Sequence, residues 1–119
     1  MGGLLMMFRG KPNAIGFLRS DVSGIRQTWD ENQIRSVAKR LGYDLCKILV
    51  FGPDSQRQMA RLKAAITQLD AESVIVPSLQ HFQAGQVPAA LVSAVDVTTV
   101  DPLETWSRRE DGTPPEGCA

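Results

Sequence analysis

The stretch Ala14-Ile-Gly-Phe-Leu18 is apolar at every position and follows Pro12 and Asn13. Continuous apolar runs of this length are typical of strands that are buried on both faces, whereas half-exposed strands alternate apolar and polar residues. Strands covered on both faces occur mostly in the parallel sheets of α/β proteins. The stretch therefore predicts a central strand of a parallel sheet.

The chain after this strand becomes polar and then takes a helical pattern. Residues 19–28 are polar and contain a glycine, which predicts a loop at the carboxyl end of the strand. Apolar side chains then recur at helical spacing, which predicts a helix over residues 29–41 with Thr28 or Asp30 as its cap. Gly42 is a typical residue to end such a helix.

The remaining sequence repeats the alternation of strand and helix. Three further apolar runs predict strands over residues 45–51, 73–76 and 95–100. Two helices are predicted between them: one from a cap at Asp54 or Ser55 to Leu69, with the apolar stripe Met59, Leu62, Ile66 and Leu69, and a short one over residues 86–94. Alternating strands and helices imply right-handed crossovers. The predicted fold is a three-layer α/β domain with a mainly parallel four-stranded sheet.

Composition indicates one domain with a packed core. The chain has 119 residues, of which 43% are hydrophobic and 22% charged, and single cores usually occupy about 100–200 residues. The domain is predicted over residues 13–103, with an amino-terminal extension over 1–12 and a disordered tail over 104–119. No stretch approaches the ~20 apolar residues of a membrane helix, and no signal peptide pattern is present. A cytoplasmic location without a membrane partner is expected.

The charges balance overall but not along the chain. The 13 basic and 13 acidic side chains cancel, which argues against a dedicated nucleic-acid-binding protein. Basic side chains are concentrated in residues 1–63 and acidic ones in residues 64–119. Either the amino-terminal half presents a basic face, or the two halves fold together and their charges cancel.

Several segments together carry a resemblance to a known family. They are Gly16-Phe-Leu-Arg19, the serine-containing loop after it, Gly42-Tyr43, and Val74-Ile-Val-Pro-Ser-Leu79. These segments, and the order of the elements over roughly residues 13–100, resemble the catalytic domain of resolvase and invertase type serine recombinases. The resemblance implies a resolvase-like fold of the flavodoxin-like topology class. It also implies DNA strand exchange, in which a serine attacks a DNA phosphate that an arginine helps to hold.

The chain departs from this family at its functional positions. Phe17 and Arg19 match the Tyr and Arg of the family's Tyr-x-Arg-Val-Ser signature, but the nucleophilic serine falls on Asp21. A carboxylate repels a phosphodiester and cannot form a phosphoserine linkage. The family's Leu-Asp-Arg-Leu-Gly-Arg signature aligns with residues 79–84, which lack the aspartate and both arginines. Losing one arginine of this kind costs on the order of 10³-fold in rate. The resemblance also stops before the family's dimerisation helix and DNA-binding domain.

Ligands of open parallel sheets bind at the carboxyl ends of the strands. The residues expected to line a binding crevice there are Arg19, Asp21, Ser23, Arg57, Ser78 and His81. No residue is assigned as catalytic, and the candidates are Arg19, Ser20 and Ser23. His81 is the only histidine and has no other ligand at metal-binding spacing, so neither a metal nor another cofactor is expected.

The sequence supports three hypotheses for function. The first is a serine-recombinase-like domain without strand-exchange activity, which acts as an interaction or regulatory module. The second is an active or partly active recombinase or nuclease, with Ser20 or Ser23 as the nucleophile and Arg19 as the phosphate ligand. The third is a small-ligand-binding α/β domain that uses the same crevice. The sequence leaves open whether a partner is DNA or protein, and whether the chain forms a homodimer.

Overall fold

Five strands form one sheet in the computed structural model, which describes residues 10–53 and 57–108. In chain order they are β1 (Asn13–Arg19), β2 (Asp44–Phe51), β3 (Ala71–Val76), β4 (Asp96–Thr99) and β5 (Glu104–Trp106). Their order across the sheet is β2-β1-β3-β4-β5. Strands β1 to β4 run parallel to one another, and β5 is antiparallel to β4. The prediction of a mainly parallel α/β sheet is confirmed.

Four α-helices connect these strands: α1 (Ser20–Ser23), α2 (Gln27–Leu41), α3 (Gln58–Leu69) and α4 (Ala89–Val92). Helix α2 ends at Gly42, as predicted. Gly42 has a φ of 83° and its N–H bonds to the carbonyl of Lys39, and a glycine adopts this left-handed conformation without a Cβ clash. Among residues 10–53 and 57–108, no helix is both long and apolar enough to cross a bilayer.

The helices pack on both faces of the sheet, and this explains why β1 is apolar throughout. Alternate side chains of a strand point to opposite faces, so Ala14 and Leu18 lie in one apolar cluster and Ile15 and Phe17 in the other. The first cluster receives α2, and the second receives α3 and α4. The buried helix residues are Ile34, Val37 and Ala38 on α2, Leu62, Ala65 and Ile66 on α3, and Leu91 and Val92 on α4.

Gly16, at the centre of β1, sets how closely the first apolar cluster packs. A Cβ at this position would lie 2.8 Å from Cγ1 of Ile48 on β2 and 2.9 Å from Cγ2 of Ile34 on α2. Carbon atoms are normally about 3.5–4.0 Å apart at their optimal separation. The absent side chain therefore lets the two isoleucines meet over the middle of the sheet.

The prediction of four strands was wrong, because residues 104–106 form the fifth strand rather than the start of a tail. Trp106 is buried in the second apolar cluster, and the hydroxyls of Thr98 and Thr105 are 3.0 Å apart. The chain then returns to the amino-terminal end of β4, where the N–H of Arg108 bonds to Asp96 Oδ1 at 2.6 Å. Strand β5 has only three residues, which is too short to show an apolar pattern in the sequence. Burial of Trp106 stabilises it. The rest of the predicted tail, residues 109–119, lies outside the described residues.

The predicted loop over residues 19–28 was also wrong. Helix α1 begins at Ser20, directly after β1, and Gly24–Arg26 forms a 3₁₀ turn that leads into α2. Neither Thr28 nor Asp30 caps α2, because both lie inside the helix. Polar residues and a glycine favour a loop by composition, but a buried hydrogen bond from Ser23 to Asp30, described below, stabilises this segment.

The other element boundaries differ by a few residues. Strand β3 begins at Ala71 rather than at residue 73, and β4 covers Asp96–Thr99 rather than 95–100. The short helix predicted over 86–94 is limited to α4, which follows Pro88. Helix α3 begins at Gln58, and its two predicted caps, Asp54 and Ser55, lie outside the described residues.

A candidate binding crevice at the carboxyl ends of β1 and β3

A cavity of about 430 Å³ opens at the carboxyl ends of β1 and β3. These two strands are neighbours in the sheet, and the chain leaves them towards helices on opposite faces, which creates a gap between the two connections. The cavity, called the crevice below, is lined by residues from α1 and α2, from the segment after β3, and from the turn between β4 and β5. They are Val22, Ser23, Arg26, Trp29, Asp30, Pro77, Ser78, Leu79, Gln80, His81, Val100, Asp101, Pro102 and Glu104.

Ser23 and Asp30 form a buried hydrogen bond in one wall of the crevice. Ser23 Oγ donates to Asp30 Oδ2 at 2.7 Å, and this bond joins α1 to the first turn of α2. Asp30 is only 7% exposed. Its second oxygen, Oδ1, accepts no hydrogen bond from the described residues. This oxygen is accessible to solvent, since Ser73 Oγ is the one buried polar side-chain atom without a partner in the described part of the chain.

His81 connects the segment after β3 to the end of β1. The ring is 3% exposed, and its Nδ1 accepts the backbone N–H of Arg19 at 2.9 Å. The neutral ring therefore carries its proton on Nε2. Burial is the main cause that lowers the pKa of His81, and the charge of Arg19 lowers it further, against Asp30 and Asp21, which raise it. His81 is neutral at neutral pH and adds no positive charge to the crevice.

Arg19 and Asp21 bind each other at the end of β1. Nε of Arg19 donates to Oδ1 of Asp21 at 3.2 Å, and Nη2 donates to Oδ2 at 2.7 Å. Two parallel bonds of this kind are the geometry in which an arginine also binds a phosphate. The Asp21 carboxylate thus takes the guanidinium donors that a phosphate would use.

The residues expected in the crevice are only partly brought together. Ser23, Ser78 and His81 line it, and Arg19 adjoins it through its bond to His81. Asp21 is next to Arg19, with which it pairs. Arg57 is exposed in the turn before α3 and does not line the crevice.

Ser20, the other candidate nucleophile, does not line the crevice either. Its Oγ donates to the carbonyl of Phe51 at 3.4 Å, which is long for a bond between oxygens. The bond links the start of α1 to the end of β2. Both candidate serines are thus hydrogen-bonded within the protein.

Several lining residues were not expected from the sequence. The Arg26 guanidinium lies 4.6 Å from the ring centroid of Trp29, which is half-exposed at the mouth of the crevice. The sequence predicts Asp30 as a helix cap and Glu104 as part of the tail. A tryptophan within a polar segment was the one available signal, because an exposed aromatic residue often marks a binding surface.

The crevice brings together charged side chains of both signs. It combines three carboxylates, Asp30, Asp101 and Glu104, with the guanidinium of Arg26 and a neutral histidine. Within the described ranges, no three or more His, Cys, Asp or Glu residues are grouped so as to hold a metal ion. Comparisons with protein-family models, with curated proteins and with solved structures find no match for this chain.

Proposed function

We propose that this chain is a serine-recombinase-like domain without strand-exchange activity, which acts as an interaction or regulatory module. The observation that carries the proposal is the paired contact between Arg19 and Asp21. In the register of the resemblance, Arg19 is the phosphate-binding arginine and Asp21 replaces the nucleophile. The carboxylate of Asp21 therefore opposes both family functions: it occupies the arginine that would bind the phosphate, and it stands in place of the serine that would attack it.

The surrounding residues supply neither of the two requirements for phosphoryl transfer. Ser23 is buried and donates its proton to Asp30, and Ser20 donates to a backbone carbonyl. The family's arginines after the third strand are replaced by a segment that contributes the neutral His81. Positioning a nucleophile and stabilising charge on phosphate oxygens account for most of the catalysis in this reaction class.

The crevice supports a binding role instead. Its volume of about 430 Å³ lies within the usual range of ligand sites, roughly 300–1,000 Å³. It presents the carboxylate of Asp30, the half-exposed ring of Trp29 and the exposed carboxylates of Asp101 and Glu104. This volume also favours a second candidate function, the binding of a small ligand, which would raise the melting temperature of the protein at ligand concentrations above Kd.

The test of the proposal is a cleavage assay with supercoiled plasmid DNA. We expect no nicking and no denaturant-resistant protein–DNA adduct from the wild-type chain or from Asp21→Ser, since the variant restores a serine but not the arginines. An adduct that disappears in Ser20→Ala or Ser23→Ala would overturn the proposal.

A second measurement tests whether Asp21 blocks phosphate binding. In gel-shift titrations, Asp21→Asn should bind DNA more tightly and with a steeper salt dependence, because Arg19 gains access to phosphates. The matched control is Glu72→Gln, which removes one exposed charge from β3. Equal changes in the two variants would mean that net charge alone controls binding.

A further inference from the structure

We propose that the crevice and the apolar side chains beside it form a docking surface for a basic segment of a partner protein, in which apolar residues flank a lysine or arginine. The proposal rests on the function as an interaction module and names its partner by chemistry. The basic side chain would enter the crevice towards Asp30, and the flanking apolar residues would pack on the rim.

The apolar rim is defined as Ile25, Trp29 and Leu103, each of which either lines the crevice or is next in sequence to a residue that lines it. Their exposed fractions are 103%, 50% and 48%, which places them among the most exposed large apolar residues of the described chain. Trp29 lines the crevice itself, while Ile25 precedes the lining residue Arg26 and Leu103 lies between the lining residues Pro102 and Glu104. Exposed apolar residues grouped beside a cavity are typical of interaction surfaces, and tryptophan is enriched at their energetic centres.

Charge selects a basic partner. Asp30 lines the crevice, and its Oδ1 accepts no hydrogen bond from the described residues and is accessible to solvent. Asp101 and Glu104 take part in neither of the two ion pairs found among the described residues. The one lining guanidinium, Arg26, is positioned over the Trp29 ring. An entering ammonium or guanidinium group would therefore meet an excess of negative charge.

Other occupants fit these features less well. Nucleic acid would be repelled by the carboxylates, because its affinity for proteins comes largely from basic contacts to phosphate.

The chain's own residues 1–9 precede Gly10, which is near the amino-terminal end of β1, where the N–H of Asp44 bonds to Pro12. The seven residues of β1 separate that end from the crevice by roughly 23 Å. Nine extended residues span at most about 30 Å, so about seven of them would be used in reaching the crevice and about two would remain to enter it.

The experiment uses three acetylated and amidated peptides of the sequence Leu-Leu-Gly-X-Gly-Leu-Leu, in which X is lysine, norleucine or glutamate. Binding to the full chain is measured by fluorescence anisotropy, and the site is mapped by amide and indole chemical shifts. We expect the lysine peptide to bind at least about tenfold more tightly than the other two, as a charge-assisted hydrogen bond implies. The largest shifts should fall on Trp29, Asp30 and His81.

Variants of exposed rim residues test the surface without disturbing the core. Asp101→Asn combined with Glu104→Gln should weaken the lysine peptide about three- to tenfold, and Ile25→Ser should weaken it by a similar factor. The matched controls are Glu72→Gln for charge and Val50→Ser for exposed apolar surface, and neither should change the affinity. Asp30→Asn should abolish the preference for lysine, with a melting curve recorded to establish that the variant is folded.

Four outcomes would overturn the proposal. Equal affinities for the three peptides would remove the role of charge, and shifts centred away from Trp29 would remove the site. Acetyl-lysine amide binding as tightly as the peptide would indicate a small-ligand site, and binding only after deletion of residues 1–9 would indicate that the chain's own segment fills the crevice. The plasmid assay measures covalent chemistry and the peptide titration measures docking, so failure of one does not entail failure of the other.

Discussion

Replacing Gly16 by alanine tests the packing between α2 and the sheet. The new methyl group would lie 2.8 Å from Ile48 Cγ1 and 2.9 Å from Ile34 Cγ2, so each neighbour would have to retreat by roughly 1 Å to reach an ordinary contact distance. Ile48 lies on the edge strand β2 and is only partly buried, whereas Ile34 is fully buried. Movement of Ile34 therefore determines most of the loss of unfolding free energy in Gly16→Ala.

The expected loss of unfolding free energy follows from two opposing effects. Overpacking of a core by an added methyl group costs about 1–3 kcal/mol. Replacing a glycine inside a strand removes a conformational entropy cost of about 0.5–1 kcal/mol. The net destabilisation of Gly16→Ala should therefore lie between about 0 and 2.5 kcal/mol, with a central value of about 1 kcal/mol.

A double-mutant cycle in urea identifies the contact that is responsible. Ile34→Ala alone should cost about 2–5 kcal/mol through the cavity that it leaves. In the double variant, the alanine at position 16 fills part of that cavity, so the combined loss should fall short of the sum by about 1–2 kcal/mol. Gly52→Ala is the matched control, because no atom lies within 4 Å of the position that its Cβ would occupy, and it should change stability by less than about 0.5 kcal/mol.

Two results would refute this account of the packing. One is a Gly16→Ala variant more stable than the wild type, which would mean that α2 does not press on the middle of β1. The other is strict additivity with Ile34→Ala, which would place the strain elsewhere in the core.

The other predictions concern α3, β5 and His81. Ile66→Ala should cost about 2–5 kcal/mol because Ile66 packs in the second apolar cluster, whereas the exposed Thr67→Ala should cost about 0.5 kcal/mol or less; equally mild losses in urea titrations would contradict the position of α3. Trp106→Ala should cost about 3–5 kcal/mol, while deletion of residues 109–119 should stay within about 1 kcal/mol; the reverse order in thermal melts would argue against β5. Burial lowers the pKa of His81 in the folded state, so the unfolded chain takes up the proton first and stability should fall as the pH drops below 6.5. His81→Asn should remove that part of the pH dependence, and unfolding curves at several pH values that coincide with those of the wild type would exclude His81 as its cause.

The sequence predicts those elements whose own residues determine their structure. The apolar run over residues 14–18 predicts β1 because both faces of that strand are covered. The stripe Met59, Leu62, Ile66 and Leu69 predicts α3, whose buried residues include Leu62 and Ile66. Gly42 predicts the end of α2 because its positive φ favours a glycine. These features depend on periodicity and backbone conformation, which a single sequence contains.

Features that depend on distant contacts could not be predicted. Strand β5 has three residues, and its place in the sheet depends on pairing with β4 and on burial of Trp106. Asp30 has the sequence context of a helix cap, but its bond to Ser23 requires α1, which the polar composition of residues 19–28 conceals. The site predicted from the sequence likewise lacked Glu104, because this residue lines the crevice only when β5 has formed.

The antiparallel direction of β5 brings both ends of the described chain to the same side of the domain. Gly10 precedes β1, and Arg108 adjoins the first residue of β4, so both lie at the amino-terminal ends of the parallel strands, opposite the crevice. β5 and β1 are three strand spacings apart, which corresponds to roughly 14 Å. A host protein could therefore carry residues 10–108 as an insertion in a surface loop, with two short linkers. The crevice would then face away from the host.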